Sequence, residues 1–306
     1  MIIADAHCDV LNRICDENEE LYSNTGSFSV EKIQKYDGFI QFFACFISPR
    51  FYSDPHSRLK LLINKFDEEA EKNTSTIMKC RSFSDMEDAL KAGKCAAFLT
   101  SEGGEWIRGT EDIEFAYNKG IRVIGLTWDY WNRFASGAGD TYDKGLSDAG
   151  KEIIRKMNSL GICLDVSHLS DKAFHEASKM TTLPLLATHS NSRSVYGHKR
   201  NLTDEQLKII AGSGGFAGVN MYKNHLGNKN VTAETVAGHI KHMADTAGED
   251  FIGFGCDFDG MESMPDGIKG ANDTDKILNF LSRNGEKTTF IDKIAHKNLQ
   301  RVIKFF

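Results

Sequence analysis

His7 and Asp9 stand two residues apart after the apolar run Ile2-Ile3-Ala4. In an extended chain side chains alternate between faces, so this pair points one way and an imidazole nitrogen and a carboxylate oxygen can meet one ion. Alone, a His-x-Asp pair is common and describes equally well a polar strand end with an ordinary hydrogen-bond partner. Similar residue types recur later: Glu102 in Ser101-Glu102-Gly103-Gly104-Glu105, His168 after Ser167, His189 before Ser190, and Asp257-Phe258-Asp259. Three imidazoles and two carboxylates exceed what one tetrahedral catalytic zinc with an open position needs, and they suit two divalent ions sharing a carboxylate. Glu102 is the natural bridge, with His7 and Asp9 on one ion and His168 and His189 on the other. Nitrogen and oxygen donors without thiolate favour Zn²⁺, with Mn²⁺, Co²⁺ or Fe²⁺ as alternatives.

These residues need elements to bring them together. Short apolar or β-branched runs bounded by Gly, Asp or Asn recur at Ile2 to Ala6, Phe39 to Ile47, Cys95 to Thr100, Ile121 to Thr127, Ile162 to Val166, Leu183 to Thr188, Phe216 to Asn220 and Phe251 to Cys256. Helical patterns lie between them. The spacing of Leu61, Leu62, Phe66 and Ala70 predicts a long helix from Leu59 to Cys80; Ile153, Ile154, Met157 and Leu160 form one stripe over Asp148 to Leu160. Thr203-Asp204-Glu205-Gln206 reads as a capping box. Alternating strands and helices imply parallel strands joined by crossovers, and eight repeats predict an α/β fold of the closed (β/α)8 TIM-like barrel type, one domain over 1–306. In such barrels reactive side chains project from the C-terminal ends of strands. All of the ligand candidates follow one of the eight runs, which separates them from isolated strand-end histidines.

Other features carry less. His239 and His242, three apart on a helix after Thr232, lack a third ligand and read as surface residues; His56, His175, His198, His225 and His296 have no ligand company. The seven cysteines are odd in number, widely spaced and without a C-x-x-C pair, so reduced, buried thiols are expected, Cys8 included. At 306 residues, 41% apolar, 26% charged and net charge -6, the composition is that of a globular enzyme with no electrostatic reason to bind nucleic acid. Asp5, His7 and Asp9 interrupt any signal-like N-terminus, and no run of about 18 apolar residues occurs, so a cytoplasmic protein is expected.

Six ordered segments, Asp5-Ala-His7-Cys-Asp9, Glu102-Gly-Gly, Leu164-Asp-Val-Ser-His168, Thr188-His189-Ser190, Lys199-Arg200-Asn201-Leu202 and Gly255-Cys-Asp257-Phe-Asp259-Gly260, resemble the membrane (renal) dipeptidase family of metallopeptidases in the amidohydrolase superfamily. The resemblance covers nearly the whole chain. It implies a barrel with two zinc ions that hydrolyses dipeptides, tolerates a D-residue at the C-terminal position, and uses a hydroxide bridging the two metals as nucleophile. By the same resemblance His7, Asp9, Glu102, His168 and His189 are the metal ligands. Asp257 handles the proton, with Asp259 as fallback or as a turn cap before Gly260. Arg200 clamps the substrate carboxylate, a task that suits its planar fork, and Tyr222 lies on the substrate side. The family's anchored members need a signal peptide and lipid anchor that this sequence does not show. A homodimer is a further expectation from the family.

One departure matters. After the fourth run many members read Leu-Thr-His, where this chain reads Leu126-Thr127-Trp128-Asp129-Tyr130-Trp131-Asn132. An indole N–H donates one hydrogen bond and cannot become cationic. Oxyanion stabilisation then falls to the metals, to Asn132 or to a loop donor, unless Trp128 and Trp131 simply wall a pocket. The missing histidine also leaves open another amidohydrolase activity, on a cyclic amide or an N-acyl amino acid.

Overall fold

A computed structural model describing residues 1–306 shows nine parallel strands: β1 Ile2–Cys8, β2 Gly38–Phe46, β3 Ile77–Cys80, β4 Cys95–Glu102, β5 Ile121–Gly125, β6 Cys163–Asp165, β7 Leu186–Ala187, β8 Phe216–Val219 and β9 Ile252–Phe254. Each of the eight apolar runs overlaps one of them. Pairing β1 to β2, β2 to β4, then in order to β9 and back to β1 closes an eight-stranded barrel with helices outside, the predicted (β/α)8 architecture.

The ninth strand departs from the sequence expectation. The helix predicted to run to Cys80 spans Pro55–Lys72, opened by Asp54, whose carboxylate accepts from the Ser57 N–H. It stops at Asn73, whose side-chain amide donates to the Glu69 carbonyl at 2.8 Å. Ile77–Cys80 then pairs with the foot of β4, from Ile77 beside Cys95 to Cys80 beside Phe98, below the point where β5 joins at Leu99. An open edge at the foot of β4 outweighs the residual helical pattern, because strand pairing satisfies backbone groups that a frayed helix end leaves bare.

Alternation along each strand divides the core. Ala4, Ala6, Ile40, Phe42, Ala96, Phe98, Val123, Cys163, Leu186 and Phe216 fill the barrel. Phe39, Phe43, Cys45, Ala97 and Leu99 face the helices. Phe306 reaches Phe42 and Phe98 at ring separations of 5.7 and 5.8 Å, so aromatic packing closes the end of the barrel away from the ligands. One residue pair further along the same inward faces, the lining turns polar: Asp165 follows Cys163, Thr188 follows Leu186, and Glu102 lies two steps beyond Phe98 via Thr100. No helix is long and apolar enough to cross a membrane. All seven cysteines are unpaired, Cys8 fully buried.

Candidate metal centre

Simple alternation would send His7 outward with Asp5, because Ala4 and Ala6 face inward. The pairing of β1 with β2 shifts between Asp5 and Cys8: Asp5 lies beside Gln41 but Cys8 beside Phe43, one extra residue on β1. Such a bulge re-aims a side chain, and here it turns His7 into the barrel. Asp9 is beyond the strand, at the position preceding the helix Val10–Asp16, with φ -103° and ψ 14° and no capping bond from its side chain. The pair therefore converges through a bulge and a strand-to-helix turn, and the extended geometry expected across His7 and Asp9 ends at Cys8.

The five expected ligands meet at one rim. His7 Nε2 lies 3.4 Å from Asp9 Oδ2 and 3.0 Å from Glu102 Oε2. His168 Nε2 lies 2.7 Å from Glu102 Oε1 and 2.9 Å from His189 Nε2. All five side chains are buried, none more than 8% exposed. Yet Asp9 Oδ1 is buried without a hydrogen-bond partner, and His7 Nε2 faces two carboxylates without hydrogen-bond geometry to either. Leaving such atoms unpaired costs about 1–3 kcal/mol each, and two imidazole Nε2 atoms facing one another share at most one proton. Nitrogen and oxygen donors arranged in this way fit divalent cations. Ligand atoms of His7, Glu102 and His189 lie within 4.8 Å of one another, and so do those of His7, Asp9 and Asp257.

Charge within the cage is strongly coupled. Burial opposes protonation of His7, but Asp9 and Glu102 outweigh it and hold its pKa well above the usual imidazole range. Burial also disfavours charge on Glu102, but His168 and His7 hold its carboxyl well below the ordinary value. His189 is pushed well down by burial and by the positive fields of His7 and Arg200. Asp257 is pushed up to about 8, by burial first and then by Asp9 and Glu102 against the opposing field of His7.

Asp257 and Asp259 part company here. Asn220 donates to Asp257 Oδ2 at 2.8 Å, leaving Oδ1 4.0 Å from His7 Nε2. A Cβ at Gly260 would lie 2.2 Å from Asp9 Oδ2 and 2.4 Å from Asp257 Oδ1, so glycine there lets the carboxylates approach. Asp259 instead accepts from the backbone N–H groups of Ser27 and Phe28 at 2.7 and 2.9 Å and ties that loop to the rim. Both aspartates have positive φ, 64° and 67°, a strained setting that non-glycine residues adopt chiefly where surrounding structure imposes it.

Arg200 is 4% exposed. Its Nε–H lies 3.0 Å from His168 Nδ1, and its terminal nitrogens donate to the Ser167 carbonyl, to Ser190 Oγ at 3.0 Å and to the His189 carbonyl at 3.4 Å. Most of its fork is thus spent bracing the metal-side loops, although it also borders a second cavity beside the cleft. Asn132 does not reach the cleft. Its amide nitrogen donates to Glu105 Oε1 at 2.9 Å and to the Leu126 carbonyl at 2.7 Å, and its oxygen accepts from the Phe134 N–H at 2.8 Å. With donor and acceptor consumed by its own loop, Asn132 is corrected from substrate contact to loop brace. Tyr222 does line the cleft, its hydroxyl donating to Glu262 at 2.7 Å. Trp128 lines it too, with its ring centre 5.4 Å from Phe46, whereas Trp131 is exposed.

Two residues outside the sequence-derived set belong to the site. Asp129 Oδ1 and Arg200 Nε both lie 3.0 Å from His168 Nδ1; leaving Nε2 free for a metal puts the proton on Nδ1 and gives it to Asp129, so the Arg200 Nε contact there is not a hydrogen bond. The signal for Asp129 was its place at a strand end, one residue past Trp128. His225 borders both the metal cleft and the second cavity, with its ring 4.5 Å from that of His198 and 4.7 Å from that of Tyr222. Burial, then Arg200 and His198, drive its pKa down to about 2, so it is neutral. It sits in a short helix after β8, where no spacing rule marks it. His239 also differs from expectation: it is fully buried, accepting from the Ser192 N–H at 3.1 Å with Nε2 3.1 Å from the Leu226 carbonyl. The surface reading holds for His242, which pairs with Asp204 at 2.9 Å.

Residues 1–305 match the family model described as "Membrane dipeptidase (Peptidase family M19)". A Klebsiella pneumoniae protein named "Uncharacterized protein in pqqA 5'region" is 33% identical over 237 residues, 74% of this chain and 87% of that protein. Among solved structures, the metallopeptidase dipeptidase AC superposes with a TM-score of 0.92 at 25% identity, covering 99% of this chain and 98% of that one. A metallopeptidase from Rhodobacter sphaeroides, liganded with a phosphinate mimic of the dipeptide L-Ala-D-Ala, gives a TM-score of 0.90 at 25% identity over 99% of both chains.

Proposed function

The chain belongs to the membrane dipeptidase family of metallopeptidases, and from that premise we propose that it hydrolyses L-L and L-D dipeptides at two divalent ions, Zn²⁺ by preference, held by His7, Asp9, Glu102, His168 and His189. The observation that carries this reading is the cage itself: two buried ligand atoms without hydrogen bonds, and two imidazole Nε2 atoms 2.9 Å apart beside a shared carboxylate. Divalent ions bound there supply Lewis acidity and an activated water at neutral pH.

The remaining steps fall to side chains of this protein. Asp257 takes the proton of the attacking water and delivers it to the leaving amine, a role open to it once bound cations offset the Asp9 and Glu102 charges that raise its pKa; Asn220 holds its other oxygen in place. Arg200 and Lys199 give the second cavity positive charge, partly offset by Asp129, which suits the terminal carboxylate of a dipeptide. His225 stands where the two cavities meet, a neutral imidazole whose N–H is available to the substrate carbonyl. It thereby offers the donor that Trp128 supplies only weakly. A bound L-Ala-D-Ala mimic in the Rhodobacter relative supports a dipeptide-sized substrate with a D-residue in second place.

The test is metal content by elemental analysis together with release of amino acids from L-Ala-L-Ala and L-Ala-D-Ala before and after chelation. About two equivalents of metal and chelator-sensitive cleavage of both are expected. A metal-replete protein that leaves both dipeptides intact would overturn the reading.

A further inference from the structure

We propose that Thr188 is a positioning residue whose single hydroxyl orients two metal-ligating imidazoles, His7 and His189, one from each side of the centre. This rests on the metal-centre reading above. Thr188 is 1% exposed and sits one layer beneath the ligands. Its Oγ1 lies 2.8 Å from His189 Nδ1 and 3.3 Å from His7 Nδ1, and it bonds to Asp165 Oδ2. The two rings lie close, centroids 3.8 Å apart and planes tilted by 35°, so one atom beneath them reaches both.

Proton counting fixes the directions. A hydroxyl has one proton and two lone pairs. Asp165 Oδ1 already accepts from the Ser167 N–H at 3.0 Å, the Ser167 hydroxyl at 2.6 Å and the Thr188 N–H at 3.0 Å. Asp165 Oδ2 is the acceptor left for the Thr188 proton. The lone pairs of Oγ1 then face the two Nδ1 atoms, and only an Nδ1–H can satisfy them. Both rings therefore carry a proton on Nδ1 and present Nε2 toward Glu102; on His7 the fields of Asp9 and Glu102 favour a second proton at Nε2, which a bound metal would displace. The acceptor is rigidly mounted as well: a Cβ at Gly255 would lie 1.6 Å from the Thr188 carbonyl oxygen, so glycine allows β9 to press against this segment. Partners behind metal-ligating histidines typically contribute about 10–100-fold in metal affinity. Here one hydroxyl serves both ions, and it in turn is oriented by Asp165.

The experiment compares wild type, Thr188→Val and Thr188→Ser. Valine keeps the shape and removes the hydroxyl, and serine restores it. Zn²⁺ affinity is measured by chelator competition, and protonation of Nδ1 on His7 and His189 by ¹⁵N imidazole NMR on the metal-free protein. The expected result is Nδ1–H for both rings in wild type, about 10–100-fold weaker Zn²⁺ binding in Thr188→Val, and near-wild-type binding in Thr188→Ser. Equal affinity in all three proteins, or equal loss in both variants, would overturn the proposal. An unprotonated Nδ1 on either ring in wild type would do so without any variant, which covers a valine protein that fails to fold. Should wild type bind no Zn²⁺, the metal-centre reading fails, and the NMR comparison alone decides whether Thr188 sets the rings.

Discussion

Glu69 and Glu102 are buried to nearly the same degree, 0% and 4% exposed, and both carboxyls are held below their usual pKa. Their surroundings differ. Glu69, on the Pro55–Lys72 helix, accepts from the Leu21 N–H at 2.8 Å and from Lys65 and Lys72 at 3.0 Å each. Glu102 faces three imidazoles whose nitrogens point at one another as much as at the carboxylate, beside two buried atoms with no hydrogen bond. Burial alone therefore does not mark a functional acid. A paired acid stabilises the fold, whereas an acid in an incompletely satisfied cage is poised for something that the chain itself does not supply.

Exchanging each acid for its amide separates the two roles. Glu102→Gln is expected to lower dipeptide turnover by about 10²–10³-fold, or about 2.7–4 kcal/mol of barrier, and in the metal-free protein also to give up the stabilisation that His168 and His7 lend its carboxylate. Steady-state kinetics and a denaturant melt check this. Retained turnover with a large loss of stability would place Glu102 in the same class as Glu69.

Metal removal tests the same contrast at the level of the whole molecule. A ligand at 100 times its Kd stabilises the folded state by about 2.7 kcal/mol, and the unpartnered atoms around Glu102 give it strong reason to bind. Chelation is expected to lower the unfolding midpoint by several degrees, and re-addition of Zn²⁺ to restore it. A midpoint indifferent to chelator would show that the cage is satisfied without a metal.

Glu69→Gln is expected to cost about 1–3 kcal/mol of stability and to leave turnover unchanged. Burial raises the Glu69 pKa, but the Leu21 N–H and the two lysines outweigh it, so the folded value is depressed. A depressed carboxyl stabilises the fold fully above its unfolded pKa of about 4.3 and loses that contribution as pH falls through the folded value. The wild-type advantage over Glu69→Gln should thus be present at neutral pH and shrink on acidification. An advantage independent of pH would assign it to packing.

Much of this contrast was legible in the sequence, and the residues show why. Each of the eight apolar runs overlaps a barrel strand because strands buried on both faces read as continuous hydrophobic stretches. Glu102, His168, His189 and Asp257 stood out because each follows such a stretch. The choice between Asp257 and Asp259 was undecidable in one dimension: both share a strand end, and only the fold shows Asp259 holding Ser27 and Phe28. The bulge that turns His7 inward is a property of pairing with β2, so it is invisible in β1 alone. Asn132 illustrates the opposite error, since a polar residue near a site was credited with a substrate contact that its own loop consumes.

His225 gives the smallest expected effect and the finest probe of the contrast, because it is a polar group of the site whose work lies toward the substrate and not toward the fold. Its ring is held by a tilted contact with His198 and an edge-on contact with Tyr222, so His225→Phe keeps the shape and removes only the N–H. One neutral hydrogen bond to the substrate is worth about 1–1.5 kcal/mol, so kcat/KM should fall about tenfold with little change in stability. Neutrality matters to the reading: with its pKa down at about 2, His225 carries no charge across the working range. The loss in His225→Phe should therefore be the same at pH 6 and pH 8. A loss that grew toward low pH would mean that the ring acts as a cation, and no loss at all would return the role of carbonyl partner to Trp128.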